Sequence, residues 1–196
     1  MRALRRVAVF CGSNAGGSPA YATAASELAN KLAQRQIELV YGAGNVGLMG
    51  VLADAMLAAG GKVIGVIPQA LKDKEVCHLG LQDLRVVGTM HERKALMVDL
   101  SDAFIALPGG YGTLDELCEV LTWAQLGLHS KPCGVMDVRG YFTPFIAQID
   151  RAVSERFVTE EHRRLVVTHT TPAGLLDALS AFVPVDTTKW IADRDV

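Results

Sequence analysis

The sequence has no long apolar run, no C-x-x-C pair and no stripe of basic residues interleaved with aromatics. Each absence excludes a class of function. The first apolar run, Val7 to Cys11, follows a basic start but stops at Gly12, too short for a signal-peptide core or a membrane span. A cytoplasmic protein without a membrane partner is the expectation. Charge is nearly balanced, 19 basic against 21 acidic residues, so a nucleic-acid partner is not expected either. Cys11, Cys77, Cys118 and Cys133 lie at none of the spacings of a zinc site, which leaves reduced thiols in a cytosolic protein. His91-Glu92 opens like H-E-x-x-H, but Ala95 stands where the second histidine belongs, so no zinc hydrolase is expected.

What is present is an apolar half, 50% of the residues, in a length that suits one well-buried domain. Residues 1–184 are read as that domain and 185–196 as a tail. Short apolar runs alternate with helical patterns: strands at Val7–Cys11, Ile37–Tyr41, Lys62–Ile67, Leu84–Val87, Ala103–Leu107, Pro132–Met136 and Leu165–Thr168. Between and after them come helices from Pro19 to Gln34, Leu48 to Ala59, Met90 to Leu100, Thr113 to Leu126, Tyr141 to Glu155 and Pro172 to Phe182, with a brief turn near Glu160. Ser18-Pro19 supplies an N-cap and a first-turn proline, and Gly60-Gly61 a left-handed stop. Strands apolar throughout imply burial on both faces, as in a parallel sheet covered by helices. The predicted fold is therefore α/β, a doubly wound, Rossmann-like parallel sheet with helices on both faces. Its ligand crevice would lie where the loops after Cys11, Tyr41 and Leu107 converge.

Pro108-Gly109-Gly110-Tyr111-Gly112-Thr113-Leu114-Asp115-Glu116 follows one of these strands and opens a long amphipathic helix. Free N–H groups and the positive dipole end at such a terminus suit an anion, and three glycines in four positions exceed what a turn requires. With no Gly-Lys-Ser/Thr it is not a Walker loop, and a monophosphate is the better fit. Met90-His91-Glu92-Arg93-Lys94 places two cations nearby. Thr113-x-x-Glu116 also reads as a capping box, in which Glu116 only serves its own helix, and local sequence serves both readings equally. Asp115 and Glu119 read as solvated or dipole-complementing carboxylates, and Trp123 as core or subunit contact. Gly42-Ala43-Gly44-Asn45-Val46-Gly47 matches G-x-G-x-x-G, but the next strand ends in Val66-Ile67-Pro68-Gln69 without a ribose-binding acid. A tight turn is preferred there to a dinucleotide site, and an oxidoreductase is not expected.

At these residues the chain resembles the LONELY GUY family, cytokinin riboside 5′-monophosphate phosphoribohydrolases often labelled lysine decarboxylases. Phe10-Cys11-Gly12-Ser13, the Tyr41 to Gly50 segment, Met90 to Lys94 and Pro108 to Glu116 carry the resemblance, which covers nearly all of the chain. Ala43 departs from the family's usual glycine, so a positive φ there would be strained. The resemblance implies hydrolysis of the N-glycosidic bond of a nucleoside 5′-monophosphate, AMP-like substrates included, to free base and ribose 5-phosphate. It implies no organic cofactor, no metal, and a homodimer. It places the catalytic arginine and glutamate at Arg93 and Glu116, and substrate contacts at Glu75, Lys94, Thr122 and the phosphate cradle Gly109, Gly110, Tyr111, Gly112 and Thr113. Such cleavage builds positive charge on the ribose, which a carboxylate can stabilise while it orients or deprotonates water. A non-catalytic carrier of a nucleotide or phosphorylated cofactor is the alternative, against which the presence of both Arg93 and Glu116 argues. Pyridoxal-phosphate decarboxylation has only the old label behind it.

Overall fold

Apolar residues alternate between the two faces of each central strand, and this divides the core into two layers. Val7 and Val9 of β1 (Arg6–Phe10) join Leu39 and Tyr41 of β2 (Glu38–Tyr41) in one buried cluster, while Ala8, Phe10 and Val40 join another. Both faces are covered, so these strands carry no polar side. The computed structural model describes residues 3–73 and 77–185. The remaining strands are β3 (Val63–Pro68), β4 (Asp83–Val87), β5 (Ala103–Ala106), β6 (Cys133–Met136) and β7 (Val166–His169). All neighbours pair in parallel, in the order β4-β3-β2-β1-β5-β6-β7.

Helices α1 (Pro19–Gln34), α2 (Gly47–Ala58) and α8 (Pro172–Ala181) pack on the first face. The opposite face carries α4 (Met90–Leu100), α5 (Tyr111–Gln125) and α6 (Thr143–Ser154). Two single-turn helices, α3 (Gln69–Lys72) and α7 (Glu160–Arg163), lie in connections. No helix among the described residues is long and apolar enough to cross a membrane. The expected doubly wound α/β architecture is thus observed, with boundaries shifted by a residue or two. The tail expected from 185 lies, beyond its first residue, outside the described residues.

The chain winds outward from β1 to β4 and then returns to β5 beside β1, which makes β1/β5 the point where strand order reverses. The loops leaving these two strands run to opposite faces, to α1 and α5, and open a crevice between them. They are tied together: Gly12 N–H donates to the Pro108 carbonyl at 3.1 Å, and Leu48 N–H donates to the Gly12 carbonyl at 3.0 Å. The loops after β1, β2 and β5 therefore converge as expected.

The 42–47 loop is a packing device. Gly47 has φ +60, and a Cβ there would stand 2.3 Å from the Ser13 carbonyl carbon. Only glycine lets α2 start this close to the β1 loop. Ala43, fully buried, does adopt φ 58, so the strain expected of a non-glycine residue at that position is present.

Candidate active site

Helix α5 begins two residues earlier than its sequence pattern indicates, and this changes the site. Its N-cap is Gly110, which has no side chain to bond the first turn, and its first intrahelical bond runs from Leu114 N–H to the Gly110 carbonyl at 3.1 Å. The N–H groups of Tyr111, Gly112 and Thr113 thus face the open end of the helix. Thr113 is in the first turn and buried, so the capping box Thr113-x-x-Glu116 does not form. That arrangement is used on α4 instead, where Thr89 accepts the Glu92 N–H and Glu92 accepts the Gly88 N–H.

Three glycines at this terminus divide by role. A Cβ on Gly109 would lie 2.1 Å from Thr113 Oγ1 and 2.8 Å from the Gly12 nitrogen, so Gly109 is required by packing. Cβ atoms on Gly110 and Gly112 would meet nothing within 4 Å, and neither residue has positive φ. Neither fold nor backbone conformation requires glycine there. What the two glycines leave open is the space in front of the helix's free donors. A cavity of about 260 Å³ borders this loop, walled by Gly12 to Gly16, Tyr21, Pro108 to Gly110 and Tyr141.

Freed from capping, Glu116 reaches Arg93. Arg93 Nη1 and Glu116 Oε1 are 3.3 Å apart, and each side chain is 11% exposed. Arg93 Nε donates to the Val66 carbonyl at 3.2 Å, fixing the guanidinium at the end of β3. Gly42 makes room for it: a Cβ at that position would fall 1.9 Å from Arg93 Nη2. Burial pushes the Glu116 carboxyl above its ordinary value, and Arg93 pulls it back only in part. Asp115 and Glu119 push the same way as burial, and Lys94 opposes them.

Lys94 is one residue along α4, yet its ammonium is taken up elsewhere, 3.0 Å from Glu119 and 3.2 Å from Asp115. Burial would lower its pKa, but these two carboxylates outweigh burial and the net shift is upward. A Schiff-base lysine needs the reverse, a depressed pKa. All four thiols are raised by burial, so none is an activated nucleophile. Among the described residues no three His, Cys, Asp or Glu side chains gather as metal ligands would.

Of the residues expected at the site, the structure brings together Arg93, Glu116, Lys94 and the Gly109–Thr113 loop. Tyr111 is at the loop but 94% exposed. Thr122 is six residues beyond Glu116, about 9 Å along α5 and about 120° around it, and its hydroxyl bonds the Cys118 carbonyl. The structure does not bring it to the pair. Glu75 lies outside the described residues. Sequence reasoning missed the partnership of Glu119 with Lys94, which requires knowing that α4 and α5 lie side by side. It also missed Tyr141, whose hydroxyl donates to the Gly109 carbonyl, and for which no local motif gives a signal.

Residues 49–179 match a family model described as possible lysine decarboxylase. The cytokinin riboside 5′-monophosphate phosphoribohydrolase LOG of Oryza sativa subsp. japonica is 50% identical over 180 residues, 92% of this chain and 74% of that protein. A cytokinin riboside 5′-monophosphate phosphoribohydrolase of Arabidopsis thaliana is 47% identical over 180 residues, 92% of this chain and 84% of its own length. Among solved structures, the Moco carrier protein of Chlamydomonas reinhardtii superposes with a TM-score of 0.67 at 20% identity, over 90% of this chain and 95% of that one. At that identity the likeness is one of fold.

Proposed function

The chain belongs to the LONELY GUY family of cytokinin riboside 5′-monophosphate phosphoribohydrolases, and from that premise we propose how its own residues carry out the family's reaction. It hydrolyses the N-glycosidic bond of cytokinin nucleoside 5′-monophosphates, releasing free base and ribose 5-phosphate. AMP, which shares the purine, ribose and phosphate, is a second substrate in this reading.

The observation that carries the assignment of roles is the Arg93–Glu116 pair, buried beside a helix terminus whose glycines leave its donors uncovered. The 5′-phosphate sits against the N–H groups of Tyr111, Gly112 and Thr113, where the dipole end of α5 favours negative charge. As the bond between C1′ and the base lengthens, positive charge grows on the ribose ring. The Glu116 carboxylate stabilises that charge, in a pocket where low exposure strengthens the interaction. Water then adds at C1′, its proton passing to Glu116, while the departing base leaves with the bond's electron pair and takes up a proton from solvent, to which Glu116 returns its own. Arg93 holds Glu116 ionised and in place. A carrier would have no use for a buried carboxylate beside a bound phosphate, whereas a hydrolase requires one.

Lys94 acts in this scheme through Asp115 and Glu119, whose charges it neutralises next to Glu116. Glu75 and Thr122 stay as substrate contacts on the family resemblance alone, as does the homodimer, while a cytoplasmic location and a single domain over residues 1–184 stay as expectations from the sequence's apolar runs, length and composition. Light scattering of the purified protein tests the dimer.

The phosphate requirement tests the reading of the cradle. Initial rates of base release are compared for isopentenyladenosine 5′-monophosphate, AMP and the two nucleosides lacking phosphate. Release confined to the monophosphates is expected. Equal cleavage of the nucleosides would remove the cradle from the account.

A further inference from the structure

Between Asp137 and Thr143 the chain makes a turn with two successive left-handed residues, Arg139 at φ 57 and Gly140 at φ 73. A non-glycine residue in that region is held only when its surroundings over-determine it. Here the Asp137 carboxylate accepts the Phe142 N–H at 2.6 Å and the Thr143 hydroxyl at 2.9 Å. What the turn delivers is Tyr141. Its ring meets Tyr21 edge-on at 5.9 Å and Phe142 edge-on at 5.2 Å, so the ring is located from two sides. Its hydroxyl donates to the Gly109 carbonyl at the wall of the 260 Å³ cavity.

We propose that Tyr141 is a positioning residue for the phosphate cradle, acting through the Gly109–Gly110 peptide. The Gly109 carbonyl and the Gly110 N–H belong to one planar trans peptide and point in opposite directions. A donor fixed on the oxygen therefore fixes where the N–H points. Gly110 needs such a constraint, since it has no side chain and nothing packs where its Cβ would be. A hydrogen bond to the oxygen also polarises the peptide, making the N–H a better donor to an anion. Tyr141 thereby sets the direction of the donor that precedes the three free N–H groups of α5, without touching the bond that breaks.

This inference rests on the reading of Gly110 to Thr113 as the phosphate site, and its test separates the two. Tyr141→Phe keeps the ring and removes the hydroxyl. For wild type and variant, kcat and KM are measured with AMP and with isopentenyladenosine 5′-monophosphate, together with the inhibition constant of inorganic phosphate and the thermal midpoint. The expected result is a rise of roughly tenfold in KM and in the phosphate inhibition constant, as for one hydrogen bond to a charged group, with kcat nearly unchanged. Unchanged KM and inhibition constant overturn the proposal, as does a fall confined to kcat. Should Tyr141→Phe lower the thermal midpoint, Thr143→Val carries the test, since it keeps the Tyr141 hydroxyl and loosens the turn by removing the Thr143 bond to Asp137. A rise in both constants supports the proposal, and unchanged constants overturn it. If the wild-type protein itself cleaves nucleosides as fast as monophosphates and phosphate does not inhibit, the cradle reading fails and takes the proposal with it.

Discussion

Arg93 and Glu116 come from different helices, α4 and α5, and meet at 3.3 Å with little of either side chain exposed. The pair exists because α5 starts at Tyr111, with Gly110 as its cap, which relieves Glu116 of any capping duty. A buried carboxylate with one cationic partner is costly to keep ionised, and its raised pKa records that cost.

The pH profile should show it. Activity that needs the carboxylate is lost as pH falls through the Glu116 pKa, which lies above that of an ordinary glutamate. Arg93 lowers that pKa, so Arg93→Ala should move the acid limb of kcat to higher pH and cut the rate by about 10²-fold or more. Lys94→Ala leaves Asp115 and Glu119 without their cation and should move the limb the same way by less. Rate profiles of the three proteins between pH 4 and 8 check the order. An acid limb that stays in place in Arg93→Ala would break the link between the pair and the chemistry.

The glycine loop yields a separable set of outcomes. Gly110→Ala and Gly112→Ala place a methyl in open space, so stability should stay within about 1 kcal/mol of wild type while KM for the nucleotide rises. Gly109→Ala forces a Cβ against Thr113 and the Gly12 backbone and should destabilise by about 1–3 kcal/mol. Thermal melts and KM values for the three variants distinguish fold from binding. Unchanged KM in Gly110→Ala and Gly112→Ala would mean that no ligand approaches the helix end.

Gly42→Ala should look different again. Its Cβ would fall 1.9 Å from Arg93 Nη2, the mobile end of a long side chain, so the guanidinium would give way and the fold would not. A displacement of about 1 Å at a reacting group can lower the rate by about 10²-fold. A fall of that order in kcat, with a thermal midpoint close to wild type, is expected. Kinetics and a melt of one variant decide it, and full activity would show that the position of Arg93 is not critical.

The strands were readable from the sequence because burial on both faces leaves them apolar without interruption, as in Val7 to Phe10 and Ala103 to Ala106. The convergence of three loops followed from the doubly wound architecture. The fate of Glu116 was not readable, since the pattern Thr113-x-x-Glu116 suits a cap and a catalytic carboxylate alike. The helix start at Tyr111 removes the cap, and the neighbouring α4 sets Arg93 beside Glu116. The same holds for Glu119, which on its own helix reads as solvated and in the fold sits 3.0 Å from Lys94. Tyr141 is further still from any local signal, because its target carbonyl is 32 residues away in the chain.

The central claim is that the Glu116 carboxylate stabilises the ribosyl cation, and Glu116→Gln tests it most directly. Base release from isopentenyladenosine 5′-monophosphate is followed for wild type and variant, alongside KM and a thermal melt. A folded variant with near-normal KM and a kcat reduced by about 10²-fold or more is the predicted result. A kcat within a few-fold of wild type would contradict the account and leave Glu116 as a buried partner of Arg93 with no part in the chemistry.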